Sequence, residues 1–211
     1  MFFPAAFQDM GELPLELVDS AAAAVRLISD IDYTYRDYNV KEVKESWLRV
    51  DFAREPSEPR LKPLYAAFKA IADHVVSKHK LFPISNISLS QLRPKQVLEE
   101  HIDGRFIHKI TDRYLVPLSR SNKNYNYGYY DKQKVIYPLV YGHVFRINNA
   151  IIHSALNLED DERHNVLIDV MDERLAIKFK DHPDLFRSLN ANNINWKFEE
   201  RLRIKRKLGL K

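Results

Sequence analysis

His101 and Asp103, two residues apart, are followed by His153 and, ten residues further on, by Arg163. Two imidazoles and one carboxylate can occupy one face of an octahedral Fe(II), leaving three positions for an organic co-substrate and dioxygen. An arginine placed beyond them could hold the far carboxylate of that co-substrate through its planar fork of N–H donors. The chain has no cysteine, so disulfides, thiolate centres and a cysteine nucleophile are excluded, and His, Asp and Glu are the strong metal ligands available.

Residue type alone does not separate this set from coincidence. With eight histidines in the chain, a His-x-Asp triplet is a common accident, and His182 with Asp184 forms a second one. Position distinguishes the two. His101 and Asp103 fall where a strand gives way to a turn containing Gly104, and alternate side chains of an extended segment project to one side, so both can reach one metal. His182-Pro183-Asp184 precedes a helix-like segment, where Asp184 reads as a helix-start carboxylate. His153 lies in the apolar run 150–156, where its ring nitrogens need either a metal or a hydrogen-bonded core neighbour. Arg163 follows Glu159, Asp160, Asp161 and Glu162, a setting in which a solvated surface arginine would be ordinary.

The elements that must position these residues follow from hydrophobic periodicity. At 211 residues, 45% hydrophobic and 29% charged, the chain suits a single domain with one well-buried core. Leu17, Ala21, Val25 and Ile28 repeat at helical spacing behind Pro14, and Leu64, Phe68, Ile71 and Val75 do so behind Pro63. Both stripes read as core-facing helices, giving a mostly helical support over 1–82. From there short runs bounded by Pro, Asn, Gly and charged residues read as strands at 84–92, 97–101, 113–118, 135–140, 143–147, 151–156 and 165–170. A hairpin or long loop is expected over 125–130. Strands at this spacing over 83–172 suggest a sandwich, barrel or jelly roll. Segments 185–189 and 198–208 read as helices of a basic tail, 173–211.

A resemblance narrows these options. Ser90-Gln91-Leu92-Arg93-Pro94, His101-Ile102-Asp103, the segment from Arg113 to Leu118, Gly142-His143-Val144-Phe145, Asn148-Asn149, His153 and the stretch from Asn157 through Arg163 to Val170 together resemble the aspartyl/asparaginyl β-hydroxylase-like group of Fe(II)/2-oxoglutarate-dependent dioxygenases. The resemblance runs from about residue 84 to 171 and leaves the N-terminal helical part and the tail uncovered. It implies a mainly β fold with flanking helices, a cupin-like double-stranded β-helix or jelly roll. It also implies His101, Asp103 and His153 as iron ligands, with Arg163 on the 5-carboxylate of 2-oxoglutarate and Arg113 and Ser90 lining the co-substrate pocket. The implied reaction uses Fe(II), 2-oxoglutarate and dioxygen, releases succinate and CO2, and hydroxylates an amino-acid side chain in a peptide, a protein or a free amino acid. Where many members carry glycine after the proline upstream of the first ligand, this chain has Lys95, so that turn is expected to differ in shape. Some animal members lack the carboxylate ligand; Asp103 is present here.

Two other classes fit the residues less fully: a jelly-roll metalloprotein of other chemistry, such as a cupin-type isomerase, and a non-catalytic binding module. The net charge of +4 is spread over most of the chain but gathers in Arg201, Arg203, Lys205, Arg206, Lys207 and Lys211, a cluster that could meet an acidic protein, a nucleotide or RNA or form a solvated helix face. Residues 119–134, rich in Tyr and Asn, are expected near the barrel mouth as a lid or recognition surface. His143 and His164 flank the motif and read as structural. No run approaches the roughly 20 apolar residues of a membrane span, and residues 1–7 lack the basic start of a signal peptide. A cytoplasmic location is expected.

Overall fold

The computed structural model describes residues 7–28, 39–44, 47–52, 55–79, 82–102, 112–121, 123–130, 133–148 and 151–171. Among these residues eleven strands and two α-helices follow one another as β1 (Phe7–Glu12), α1 (Leu15–Arg26), β2 (Asn39–Lys44), β3 (Trp47–Phe52), α2 (Lys62–His79), β4 (Phe82–Leu92), β5 (Val97–His101), β6 (Asp112–Pro117), β7 (Asn124–Tyr130), β8 (Gln133–Pro138), β9 (His143–Ile147), β10 (His153–Asn157) and β11 (Arg163–Met171). They form a seven-stranded sheet, β1-β9-β6-β11-β4-β3-β2, and a four-stranded sheet, β5-β10-β7-β8. Every pairing is antiparallel. From β4 to β11 the chain crosses between the sheets at every connection except the β7–β8 hairpin, which is the winding of a jelly roll.

The two-residue period of the strands divides the large sheet into a helix side and a cleft side. Tyr114, Val116, Val144, Val166, Ile168 and Val170 pack into one core with α1 and α2. Leu115, Phe145, Ile147 and Leu167, one residue out of phase, form a second cluster with Phe7 and Leu139. The stripe Leu64, Phe68, Ile71 and Val75 is buried to 1% exposure or less along α2. Burial of side chains of this size stabilises by about 1.5–3 kcal/mol each, so this face, rather than helix propensity, holds α2 on the sheet. On α1, Ala21 and Val25 are buried as expected, joined by Val18 and Ala24; Ile28, just past its end, is buried too, and Leu17 is partly buried. No helix among the described residues is long and apolar enough to cross a membrane.

Three strands come from the region that reads as helical. β1 joins the edge of the large sheet through β9, and its register shifts between Asp9 and Glu12. Gly11 sits there at φ 97° with its N–H bonded to Asp9 Oδ1 at 2.8 Å. That irregularity removes the alternation by which a strand is read from sequence. β2 and β3 extend the other edge beyond β4. Residues 125–130 form most of β7 and pair with β8 from Tyr125↔Pro138 to Tyr130↔Gln133. β10 begins at His153, because the N–H of Ile151 is taken by Asn148 O in a turn just before it. The expected helices at 185–189 and 198–208, the triplet His182–Asp184 and the basic cluster lie outside the described residues.

The turn after β4 holds a left-handed residue that is not glycine. Lys95 has φ 57° and is the one non-glycine residue with positive φ among those described. Such a conformation costs an L-residue roughly 1–2 kcal/mol. Here it is held by the β10–β11 connection: Lys95 N–H donates to Glu159 O at 3.2 Å, and its Nζ donates to Leu158 O at 2.8 Å and pairs with Asp160 at 3.0 Å. Lys95→Gly should therefore be tolerated to within about 1 kcal/mol, whereas Lys95→Val, β-branched in the same conformation, should lower unfolding free energy by about 1–2 kcal/mol in urea titrations.

At the C-terminal end of α2, His79 stacks on Tyr114 with ring centroids 5.6 Å apart. Burial lowers the imidazole pKa below its ordinary 6.5, and burial pushes the Tyr114 phenol up to about 12. The folded state thus holds the His79 proton less readily than the unfolded chain does. Stability from this group is complete above about pH 6.5 and is lost as pH falls below it. Urea unfolding between pH 7.5 and 5 should show this decline, and His79→Gln should flatten it.

Candidate metal and carboxylate site

His101 and His153 are brought together by backbone pairing. They are direct partners across the β5–β10 ladder, and their ring centroids lie 4.5 Å apart. Two steps along β10 to Ala155 correspond to three along β5 to Leu98, so β5 carries an extra residue. This bulge lets Leu98 and His101, of opposite parity, line the same cleft. The imidazoles are oriented alike: Nδ1 of His101 lies 2.7 Å from Glu99 O, and Nδ1 of His153 lies 2.8 Å from Ile151 O. A carbonyl partner requires the proton on Nδ1, which places the lone pair of each neutral ring on Nε2, the nitrogen a metal would take. Phe7 packs edge-on against His153, with centroids 6.0 Å apart. Ile102 and Ile152, each next to one of the histidines, are exposed apolar residues.

Asp103 lies outside the described residues, and among those described no three His, Asp or Glu side chains cluster as a metal site. The donor set present, two imidazoles held in one tautomer on adjacent strands, fits two positions of a metal that prefers nitrogen and oxygen ligands.

Arg163 lies at 1% exposure on β11, facing the cleft. Nη1 donates to Tyr125 O and Leu156 O, each at 3.0 Å, and Nη2 donates to Asn126 Oδ1 at 2.6 Å. These acceptors are neutral. Nε has no hydrogen-bond partner, and no carboxylate pairs with the guanidinium, among the described residues. Burial pulls its pKa down to about 9, which leaves it charged at neutral pH. A buried cation without a counter-ion is costly, and an anion delivered to it gains what the fold withholds.

Arg113 and Ser90 line the same cleft. Ser90, on β4, is opposite Asn165 of β11. Arg113 is buried in a two-point ion pair with Asp169, at 2.7 Å from Nε to Oδ1 and 3.1 Å from Nη2 to Oδ2. Its sequence neighbour Asp112 pairs instead with Arg146 at 2.6 Å. The two other candidate histidines lie away from the lining of the cleft: His143 bonds Asp9 at 2.9 Å, and His164, its pKa lowered by burial against the opposing pull of Glu162, lies 3.4 Å from that carboxylate.

The site and its surroundings include asparagines to which the sequence reading gave no role. Asn126 and Asn165 line the cleft, Asn124 and Asn157 face one another across the β7–β10 ladder, and all four are buried. Asn157 Nδ2 reaches Leu92 O, Arg93 O and Asp161 O at 3.1, 3.0 and 2.8 Å, tying the end of β4 to the β10–β11 connection. Asparagine is depleted in strands, so Asn165 inside an expected strand was the available signal, whereas Asn124 and Asn126 fall beside or within a stretch that reads as a hairpin or loop, where asparagine is ordinary. The tyrosines of 125–130 lie in a strand: Tyr127 packs under Lys134 Nζ, 3.5 Å from the ring centroid, within the β7–β8 hairpin, and Tyr129 donates to Glu100 of β5, the strand on the far side of β10.

No protein-family model matches the chain, and no curated protein does. Solved structures do. The chain is similar to an oxidoreductase of the 2OG-Fe(II) oxygenase family from Burkholderia pseudomallei, at 11% identity over 72% of this chain and 77% of that one, with a TM-score of 0.52. It is similar to a prolyl-4-hydroxylase of Pseudomonas putida, at 13% identity over 80% and 94%, TM-score 0.54. A third similar structure is the epimerase SnoN in complex with Fe3+, alpha ketoglutarate and nogalamycin RO, at 13% identity over 80% of both chains, TM-score 0.55. At these identities the likeness is one of fold, and the fold is the jelly roll of the 2-oxoglutarate-Fe(II) oxygenases.

The uncompensated guanidinium yields a direct test. Asn126→Asp places a carboxylate where Asn126 Oδ1 now accepts from Arg163. It should raise unfolding free energy by about 1–3 kcal/mol and weaken binding of added carboxylates at least about tenfold, read by urea titration and calorimetry.

Proposed function

We propose that the protein is an Fe(II)- and 2-oxoglutarate-dependent dioxygenase of the aspartyl/asparaginyl β-hydroxylase-like group. Its reaction would hydroxylate an amino-acid side chain, in a peptide, a protein or a free amino acid, with release of succinate and CO2. The observation that carries this reading is one cleft holding both a pair of imidazoles in a single tautomer and a buried arginine with no acidic partner among the described residues. A cupin-type isomerase would bind metal in the same cleft but show no dependence on 2-oxoglutarate.

In this reading His101, Asp103 and His153 hold the iron, and Arg163 receives the 5-carboxylate of 2-oxoglutarate. Bound iron supplies dioxygen activation coupled to oxidative decarboxylation of the co-substrate. The protein's own part is placement. Nδ1 contacts to Glu99 O and Ile151 O keep both rings aimed, and Arg163, with no proton to give or take at neutral pH, fixes one end of the acid. Ser90 and Arg113 complete the lining, with Arg113 the weaker attractor because Asp169 already compensates its charge. The apolar neighbours Leu98, Leu115, Ile147 and Leu167 keep the cleft poor in water, which strengthens the contact to Arg163.

Anaerobic addition of Fe(II) and 2-oxoglutarate to the purified protein should produce a weak visible metal-to-ligand charge-transfer band. With dioxygen, succinate should form. His101→Ala and His153→Ala should abolish both signals, and Arg163→Ala should raise the KM for 2-oxoglutarate by at least about tenfold. A fully metal-loaded protein with neither band nor succinate would overturn the reading.

A further inference from the structure

A second cavity, of about 540 Å³, opens at the end of the jelly roll away from the histidines. β10 runs about 13 Å from His153 to Asn157, and Asn157 is opposite Asn124 in the β7–β10 ladder. Asn124 lines this cavity, which shares no lining residue with the cleft of His101, His153 and Arg163. Ala22 and Val25 of α1, with Leu118 after β6, give it an apolar side. The β10–β11 connection gives it an acidic one, through Glu159, Asp161 and Glu162.

The fold leaves much of that acidity unbalanced. Among the described residues the Asp161 carboxylate has neither an ion-pair nor a hydrogen-bond partner. Glu162 meets His164 Nε2 at 3.4 Å, an imidazole that burial holds below its ordinary pKa and so neutral at pH 7. Glu159 accepts from Ser121 Oγ and lies 3.8 Å from Lys123. Of the two arginines in the lining, Arg120 is already held by Asp19 at 2.8 Å and lies over the Tyr141 ring; Arg26 is the other.

An acidic surface loop alone would be ordinary. Asn124 sets this one apart: it is 4% exposed, and its Oδ1 has no hydrogen-bond partner among the described residues. A buried carbonyl oxygen of this kind costs stability until a donor reaches it. The cavity therefore calls for a ligand with N–H donors on a positive charge and with methylenes to lie against Ala22, Val25 and Leu118. Among the described residues no three His, Asp or Glu side chains converge as a metal site, so these carboxylates suit a larger cation than a bare metal ion.

We infer that this cavity is a binding site for an aliphatic diamine or polyamine, whose ammonium groups pair with Asp161 and Glu162 and donate to Asn124 Oδ1 while its methylenes cover the apolar side. The site is separate from the cleft and does not depend on what the cleft binds.

Calorimetric titration of the full chain with 1,4-diaminobutane and spermidine, at about 0.15 M salt to screen distant charges, tests this. Both should bind saturably at one site, and n-butylamine, with a single ammonium, should bind at least about threefold more weakly than the diamine. Asp161→Asn should weaken diaminobutane binding about threefold or more, and Asp161→Asn/Glu162→Gln about tenfold. Asp160→Asn makes the same change of charge one residue away, on a side chain outside the lining that pairs with Lys95, and should leave affinity within about 1.5-fold. Asn124→Leu should weaken binding about tenfold without lowering the urea midpoint, because Oδ1 contributes no hydrogen bond to the fold. Absence of saturable binding of either amine to wild-type protein overturns the proposal. So does equal weakening by Asp160→Asn and Asp161→Asn, the mark of unspecific attraction to an acidic surface, or a folded Asn124→Leu that binds as wild type does. Asp161 is exposed and unpaired, so its variant decides the matter even if Asn124→Leu does not fold.

Discussion

The burial of Arg163 without an acidic partner among the described residues is the constraint around which the described structure is arranged. Its three hydrogen bonds run from the large sheet to the small one, to Tyr125 and Asn126 of β7 and Leu156 of β10. The same contacts that make a charged side chain tolerable in the interior also bind the two sheets together at that end of the cleft. Neutral carbonyl and amide oxygens stabilise the guanidinium through their dipoles but cannot cancel its charge. An interior of this kind is poorer in stability than an apolar or fully paired one, and richer in affinity for an anion.

Where Arg163 depends on contacts between sheets, the histidine pair depends on contacts within one. A cross-strand pairing sets the separation of the rings, a bulge in β5 sets the direction of one of them, and backbone carbonyls two residues upstream set both tautomers. Because the backbone supplies these second partners, the orientation of the rings does not require further specialised side chains. The ten-residue step from His153 to Arg163 is one strand, one connection and the start of the next strand, which carries the chain from the small sheet to the large one. The connection is itself anchored, through Asn157 to the end of β4 and through Lys95 back onto Leu158 and Glu159.

Legibility in the sequence followed from regularity. Helices with an apolar stripe could be read by their buried face, and strands such as β5 and β9, with clean boundaries, to the residue. β1 could not, because Gly11 and a register shift interrupt its alternation, and β7 was read only as a hairpin or loop because Asn and Tyr alternate there in place of apolar and polar types. Within the site, histidines and an arginine announce themselves by chemistry. Asn126 and Asp169 are visible only through what they touch. Asp112, adjacent to Arg113 in sequence, is the natural guess for its partner, yet adjacent strand residues face opposite sides, and the partner lies 56 residues away on β11.

The sequence by itself determined which groups are available: imidazoles, a carboxylate and two arginines, no thiol, and apolar runs whose period makes strands and helices. Those properties are local, and local properties survive without knowledge of the neighbours. Tertiary structure decided what each charge means. Arg113 and Arg163 are the same residue type in similar strands, and nothing near either in sequence distinguishes them. Pairing of β11 with β6 places a carboxylate against the first, while packing of the small sheet offers the second only neutral oxygens. Electrostatic energy depends on distances through space and on the surrounding dielectric, neither of which is fixed until the sheets close.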